Sequence, residues 1–169
     1  MRVLYALLVF RARGILFHAA GISYEGRGYV FFGHSGSGKT TISRSSRGKR
    51  VLNDDLVMLI KENGTWKVHS TPFWNELQLK PEPASAQLVG LFLLVKGHQV
   101  HIEKINRGVA IAEMISCIPV ISVDPPNIQK LIPLVSELLD IIPVFQLHFL
   151  PDDSYWDVIL PHNAQNTLR

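Results

Sequence analysis

Changes in the spacing of apolar positions divide the chain into helical and extended stretches. Residues 2–12 suit a short, buried helix, ended by Gly14. Residues 15–24 read as a strand containing His18, followed by the turn Glu25-Gly26-Arg27-Gly28. Tyr29-Val30-Phe31-Phe32 is a short, β-rich apolar run that predicts a buried strand. Residues 56–61 and 65–70 predict a hairpin around Glu62-Asn63-Gly64. Residues 81–86 read as a loop, 88–95 as a strong strand broken at Gly97, and 101–104 as a further strand. The last third turns helical. Residues 109–117 suit a short helix, and 127–139 carry a broad apolar stripe with Pro133 inside it, which predicts a kink or two shorter helices. Residues 144–150 alternate as a final strand. A short helix capped by Asp152 or Asp153 follows through Tyr155 and Val158, and 162–169 read as a frayed tail.

Between the strand at 29–32 and residue 48 lies a stretch with little apolar content and much chemistry. Gly33-His34-Ser35-Gly36-Ser37-Gly38-Lys39-Thr40-Thr41 matches the phosphate-binding pattern of Gly, any four residues, Gly-Lys-Ser/Thr. Glycines let successive N–H groups turn toward one phosphate chain. Lys39 adds a cation, Thr40 offers a hydroxyl to Mg²⁺, and the next helix points its positive end at the anion. A random chain of this length carries the pattern roughly once in two hundred. The helix that follows is thin: Ile42 is its one large aliphatic residue, and Ser43, Ser45 and Ser46 are poor helix formers, so it should be short and end at Gly48. Residues 49–55 then place Asp54 and Asp55 at the end of a short apolar run, as in a Walker B strand. A carboxylate there lies beside the phosphate loop, where it holds Mg²⁺ directly or through water. Asn-Asp-Asp is also good turn chemistry.

Length and composition narrow the class. The 169 residues suffice for one domain and its core, and 47% apolar content suits a buried sheet. The net charge of +3 is too small to indicate nucleic acid; part of the excess is the cluster Arg44, Arg47, Lys49 and Arg50 just after the loop. Cys117 is the sole cysteine, so there is no internal disulfide and no zinc spacing, which fits a reducing cytoplasm. The apolar start is short, broken by Arg11 and Arg13, and lacks a cleavage pattern; no run is long enough to span a bilayer. His69, His98, His101, His148 and His162 show no metal-ligand spacing.

The run from His18 through Asp55 resembles the catalytic domain of HPr kinase/phosphorylase, a P-loop serine kinase related to phosphoenolpyruvate carboxykinase. A histidine precedes the loop at a similar distance. Gly26 and Gly28 form the intervening Gly-x-Gly, Ser35 and Gly36 match beyond the generic pattern, and Arg47-Gly48 precedes a strand and an Asp pair. The resemblance implies an α/β fold: a single P-loop domain with a mixed β-sheet flanked by helices. It implies that the loop and Lys39 hold ATP, that Thr40 and Asp54 serve Mg²⁺, that Asp55 accepts the proton of an attacking hydroxyl, and that His18 lies near the transferred phosphate. The family's downstream Glu-x-Arg-Gly-x-Gly segment is absent; Glu76 is the nearest substitute as a metal ligand.

The expected function is Mg²⁺-dependent phosphoryl transfer from ATP to a hydroxyl of a protein, peptide or small molecule. The competing expectation is a non-catalytic nucleotide-binding switch with slow hydrolysis only. The expected partners are a nucleotide and the hydroxyl acceptor; no membrane and no nucleic acid are expected, and a homo-oligomer stays open.

Overall fold

The computed structural model describes residues 1–74, 81–123 and 125–166, with side chains to residue 161. The run at 15–24 is two strands. β1 (Ile15–Phe17) and β2 (Ala19–Tyr24) are separated by His18, and they serve different ladders. β2 turns through Glu25-Gly26 into β3 (Arg27–Phe32), pairing antiparallel with it. Both turn residues have positive φ, 50° and 75°, which matches the twist of a tight two-residue hairpin. The turn is therefore two residues long, and Arg27 and Gly28, expected within it, belong to β3.

The helix α2 (Lys39–Ser45) follows the glycine-rich loop, and β4 (Arg50–Asn53) returns beside β2. β5 (Val57–Glu62) and β6 (Thr65–His69) form the expected hairpin, again with positive φ at Asn63 and Gly64. β7 (Ser85–Lys96) is the long central strand, and it begins within the stretch expected to be a loop. One edge of β7 lies parallel to β3; the other meets β6 and then β9 (Val144–Phe149). β8 (His101–Lys104) pairs only with β9. The main ladder runs β4, β2, β3, β7, β6, β5, β1. Since β1 runs straight into β2 at His18, the mixed sheet curls back on itself.

Helices cover both faces. α3 (Arg107–Ser116) is capped by the Asn106 carboxamide, which accepts from the N–H of Gly108 at 2.9 Å. A 3₁₀ turn follows at Ile121–Val123, and α4 (Pro125–Ile141) runs through Pro133 as one helix, so of the two expected outcomes, a kink or two shorter helices, the second does not occur. Leu131, Leu134, Val135 and Leu138 of α4 join Val30, Phe32, Leu59 and Leu91 of the sheet in the larger core. The opposite face of the sheet, Tyr29, Phe31, Phe92, Phe145, Leu147 and Phe149, packs on Ile42 of α2 and on α5 (Tyr155–Asn166). α5 is longer than expected and includes residues 162–166 of the supposed tail. β3 is buried on both faces, as its uninterrupted apolar run requires.

The helix at the start is not the buried segment its composition suggested. In α1 (Arg2–Arg11) only Ala6 and Val9 are buried, while Val3, Leu4, Leu7 and Leu8 are exposed. No helix among the described residues is long and apolar enough to cross a membrane.

α2 is as short as its sequence predicts, and the structure shows what holds it. Its stripe is Ile42 alone, fully buried. A polar latch adds to that: the Tyr155 hydroxyl donates to the Ile42 carbonyl at 2.9 Å and bonds the Ser46 hydroxyl at 2.8 Å, and Trp156 Nε1 donates to Ser46 at 3.3 Å. The Ser46 hydroxyl, with one proton, donates either to Tyr155 or to the Ile42 carbonyl at 2.8 Å, an end-of-helix acceptor. The serines that are poor helix formers thus bond the carbonyls at the end of the helix. Tyr155→Phe should lower stability by about 1–3 kcal/mol through the buried partners it leaves behind. Chemical denaturation of the two proteins, compared at constant slope, measures that loss.

Candidate functional site

β3 ends where the glycine-rich loop begins, and the loop folds over Lys39. The Lys39 ammonium donates to the carbonyls of Gly33 at 2.7 Å and His34 at 3.2 Å, and Ser37 N–H donates to the His34 carbonyl at 3.0 Å. Lys39 is 8% exposed, and burial pulls its pKa down, opposed by Asp55 and Cys117. Gly38 has φ of 113°, and a Cβ there would lie 2.4 Å from the Phe149 ring, so both backbone and space demand glycine. His34 turns outward to Glu113 of α3 at 3.2 Å.

The carboxylates approach from β4. Asn53, its last residue, is buried, and its side-chain oxygen accepts the N–H of Asp55 at 2.8 Å and of Leu56 at 3.1 Å. Its amide donates to the carbonyls of Phe73 at 2.7 Å and Thr71 at 3.3 Å. Asn53 therefore forms the turn that presents Asp55 and ties down the segment at 71–73. Asp55 Oδ1 lies 3.2 Å from His18 Nδ1, and its Oδ2 lies 3.2 Å from the Arg2 guanidinium. The His18 hydrogen bond, aided by the charges of His18 and Arg2, lowers the Asp55 pKa against its desolvation. Asp54 goes the other way: burial raises its pKa and Asp55 adds to that, while its own backbone and Arg44 oppose it. Adjacent carboxylates are thereby pushed apart in acidity.

These groups share one cavity of about 750 Å³. His18, Ser35, Gly36, Gly38, Lys39, Thr40, Thr41, Asp54 and Asp55 line it, so the structure brings together most of the residues selected from the sequence. Gly33, His34 and Ser37 shape the loop without lining the cavity, and Glu76 lies outside the described residues. The cavity also takes Arg2, Trp74 and Lys96, which sequence reasoning missed. Lys96 had a usable signal, since it ends a strand, and ligands of such sheets gather at the carboxyl ends of parallel strands. Arg2 had none. Cys117, read only as a redox indicator, does not line the cavity but ties two of its parts: its carbonyl accepts the His18 N–H at 2.8 Å, and its thiol accepts the Gly33 N–H.

A family model described as SynChlorMet cassette protein ScmC matches residues 2–124. The chain belongs to the ScmC family. This corrects the resemblance to HPr kinase/phosphorylase. The features that carried it, chiefly a glycine-rich loop, an earlier histidine and a later Asp pair, are short and local, and such motifs do not by themselves identify a family. The segment special to those kinases, Glu-x-Arg-Gly-x-Gly, is the one this chain lacks. The ScmC match spans the glycine-rich loop, His18 and both carboxylates, so the whole cavity apart from any contribution of the C-terminal strand and helix falls inside it. No curated protein matches the chain.

The acidities are directly testable in this ScmC-family protein. By carboxyl-carbon NMR, Asp55 should titrate below the ordinary value of 3.8 and Asp54 above it. A depressed folded-state pKa stabilises the fold above the ordinary value, and that contribution is lost as pH falls through the folded one. His18→Ala should therefore raise the Asp55 titration and flatten the acid limb of the stability profile. An unchanged Asp55 titration in that variant would show that His18 does not hold the carboxylate.

Proposed function

We propose that the cavity binds the phosphates of a nucleotide with Mg²⁺ and that the protein transfers a phosphoryl group to a hydroxyl acceptor. What supports this is one coincidence: Lys39, Thr40, Asp54, Asp55 and His18, drawn from three separate stretches of sequence, line a single cavity at the mouth of a glycine-rich loop. In this reading the domain is a P-loop fold of the phosphoenolpyruvate carboxykinase type.

The residues present fit such a ligand. A Cβ on Gly36 would meet nothing within 4 Å, so the loop is open on its outer side. The buried Ser37 hydroxyl has no hydrogen-bond partner among the described residues. The ammonium of Lys39, now spent on loop carbonyls, is positioned to exchange them for phosphate oxygens. Thr40 and Asp54 supply the hard oxygen donors that Mg²⁺ prefers. Bound nucleotide supplies an electrophilic γ-phosphoryl group. The acceptor oxygen forms the new P–O bond, the bond to the β-phosphate oxygen breaks, and the nucleoside diphosphate leaves. The acceptor proton goes to the His18–Asp55 pair. His18 Nδ1 faces the carboxylate, so the neutral ring carries its lone pair on Nε2, with Asp55 holding the orientation. Asp55, made more acidic by its hydrogen bond with His18 and by the Arg2 guanidinium, is a weaker base than a free carboxylate and acts best through His18.

One observation favours the alternative, a nucleotide-dependent switch. Arg2 of α1 reaches into the cavity and pairs with Asp55. Competition for that carboxylate would release α1, whose outer face is apolar. Calorimetry with ATP and Mg²⁺ and transfer of label from γ-labelled ATP separate the readings. Lys39→Ala should abolish binding, or weaken it by at least about 100-fold. Asp55→Asn and His18→Ala should keep binding but lose transfer by about 100-fold or more. Binding with slow hydrolysis and no labelled acceptor would establish the switch instead. No heat of binding by the wild type would sink both.

A further inference from the structure

Away from the glycine-rich loop, the edge ladder of β8 and β9 gathers two histidines and a glutamate that no local sequence pattern links. His101 lies directly across from His148, and Glu103 directly across from Gln146. Side chains two residues apart on a strand share a face, so all four stand together on the pleat. The His101 and His148 rings stack with centroids 4.2 Å apart and planes 7° from parallel. Both Nε2 atoms address one carboxylate: His101 Nε2 lies 3.0 Å from Glu103 Oε1 and His148 Nε2 lies 3.7 Å from Glu103 Oε2.

We propose that His101, Glu103 and His148 bind a divalent transition-metal ion of the zinc class. Two donors each about 2.1 Å from a tetrahedral ion stand about 3.4 Å apart. The two nitrogen–oxygen spans given above bracket that value. All three donor atoms lie within 4.8 Å of one another; because a ligating imidazole holds the ion in its own plane, binding requires the two rings to tilt out of their stack while the strands keep their register. Two imidazoles and one carboxylate suit zinc, nickel or copper, and they do not suit magnesium or calcium, which take oxygen donors.

The competing arrangement is a hydrogen bond from one neutral ring: His101 Nε2–H can donate to Glu103 at 3.0 Å, but that leaves His148 Nε2, 3.7 Å from the carboxylate, outside hydrogen-bond reach of it. One divalent ion takes the lone pairs of two neutral rings and the carboxylate together. The fourth position has a nearby candidate. The Gln146 side-chain nitrogen lies 3.1 Å from His148 Nε2, and turning that carboxamide over presents its oxygen there instead. Among the described residues β8 pairs with no strand but β9. A metal on this ladder would therefore pin the edge strand and would protect it from pairing with another chain. The site is separate from the nucleotide reading, and neither depends on the other.

The experiment uses tag-free, chelator-stripped protein without nucleotide. Zn²⁺ is titrated against a competing chromophoric chelator, and Co²⁺ is added separately to read its visible absorption. The wild type should take up one equivalent of Zn²⁺, give the intense visible bands of low-coordinate cobalt, and melt at higher temperature with metal than without. His101→Ala and His148→Ala should each weaken Zn²⁺ binding by at least about 100-fold and abolish the metal-induced rise in melting temperature. Glu103→Gln, which preserves shape and leaves the rings in place, should weaken binding by a smaller factor and so controls for folding. Absence of one-equivalent binding by the wild type overturns the proposal. So does wild-type affinity in either histidine variant, which would place the ion at another cluster such as His34 with Glu113.

Discussion

The sheet curls because one stretch of chain belongs to both of its ends. Residues 15–24 leave the β5 ladder as β1 and enter the β3 and β4 ladders as β2, and the crossing occurs at a single residue, His18. A strand that changes ladders leaves main-chain groups without their strand partners, and buried N–H groups cannot stay unpaired. Here they are taken up from outside the sheet: Cys117 accepts the His18 N–H at 2.8 Å, and the Asp55 carbonyl accepts the Ala19 N–H at 3.2 Å. The seam thus draws in the end of α3 from one side and the turn after β4 from the other. The cavity forms where these meet, so its position follows from sheet closure.

The same economy explains the rigidity of the carboxylate turn. Asn53 is 3% exposed and bonds both the turn carrying Asp55 and the segment at 71–73. A buried polar side chain is tolerated only when its donors and acceptors are met, and Asn53 meets them with backbone groups of two separate stretches. The position of Asp55 is therefore set by the backbone around it. Its charge is set by His18 and Arg2.

Much of this was legible in the sequence, for local reasons. The glycine-rich loop, the β5–β6 hairpin and the doubly buried β3 follow from residue type and spacing alone, while the turn after β2 is two residues shorter than expected. Even the weak α2 could be foreseen from a stripe consisting of Ile42. The latch that holds it could not, because Tyr155 lies 113 positions from the carbonyl it bonds. At Pro133 the helix is not divided in two, and Leu131, Leu134, Val135 and Leu138 on both sides of the proline pack into the same core. The split of 15–24 at His18 was hidden because both halves are apolar and β-rich; only the pairing partners distinguish them. The family assignment failed for a related reason. Loop, histidine and Asp pair are short, local motifs, and a shared motif does not identify a lineage.

The first helix is the element least bound to this frame. Its apolar anchor is small: Ala6 packs with Leu16 and Leu56, and Tyr5 meets Phe73 edge-on at 5.1 Å. The Arg2–Asp55 pair adds little by itself, since the Arg2 side chain is 55% exposed and such pairs contribute about 0–1 kcal/mol. Yet Asp55 is held in its ionised form partly by that same guanidinium. The two facts point in one direction. A cation of higher charge density at Asp55 displaces Arg2 at small cost, whereas Asn53 keeps the carboxylate itself in place. In the switch reading, whatever neutralises Asp55 would act first on α1, whose outer residues Val3, Leu4, Leu7 and Leu8 are already in solvent.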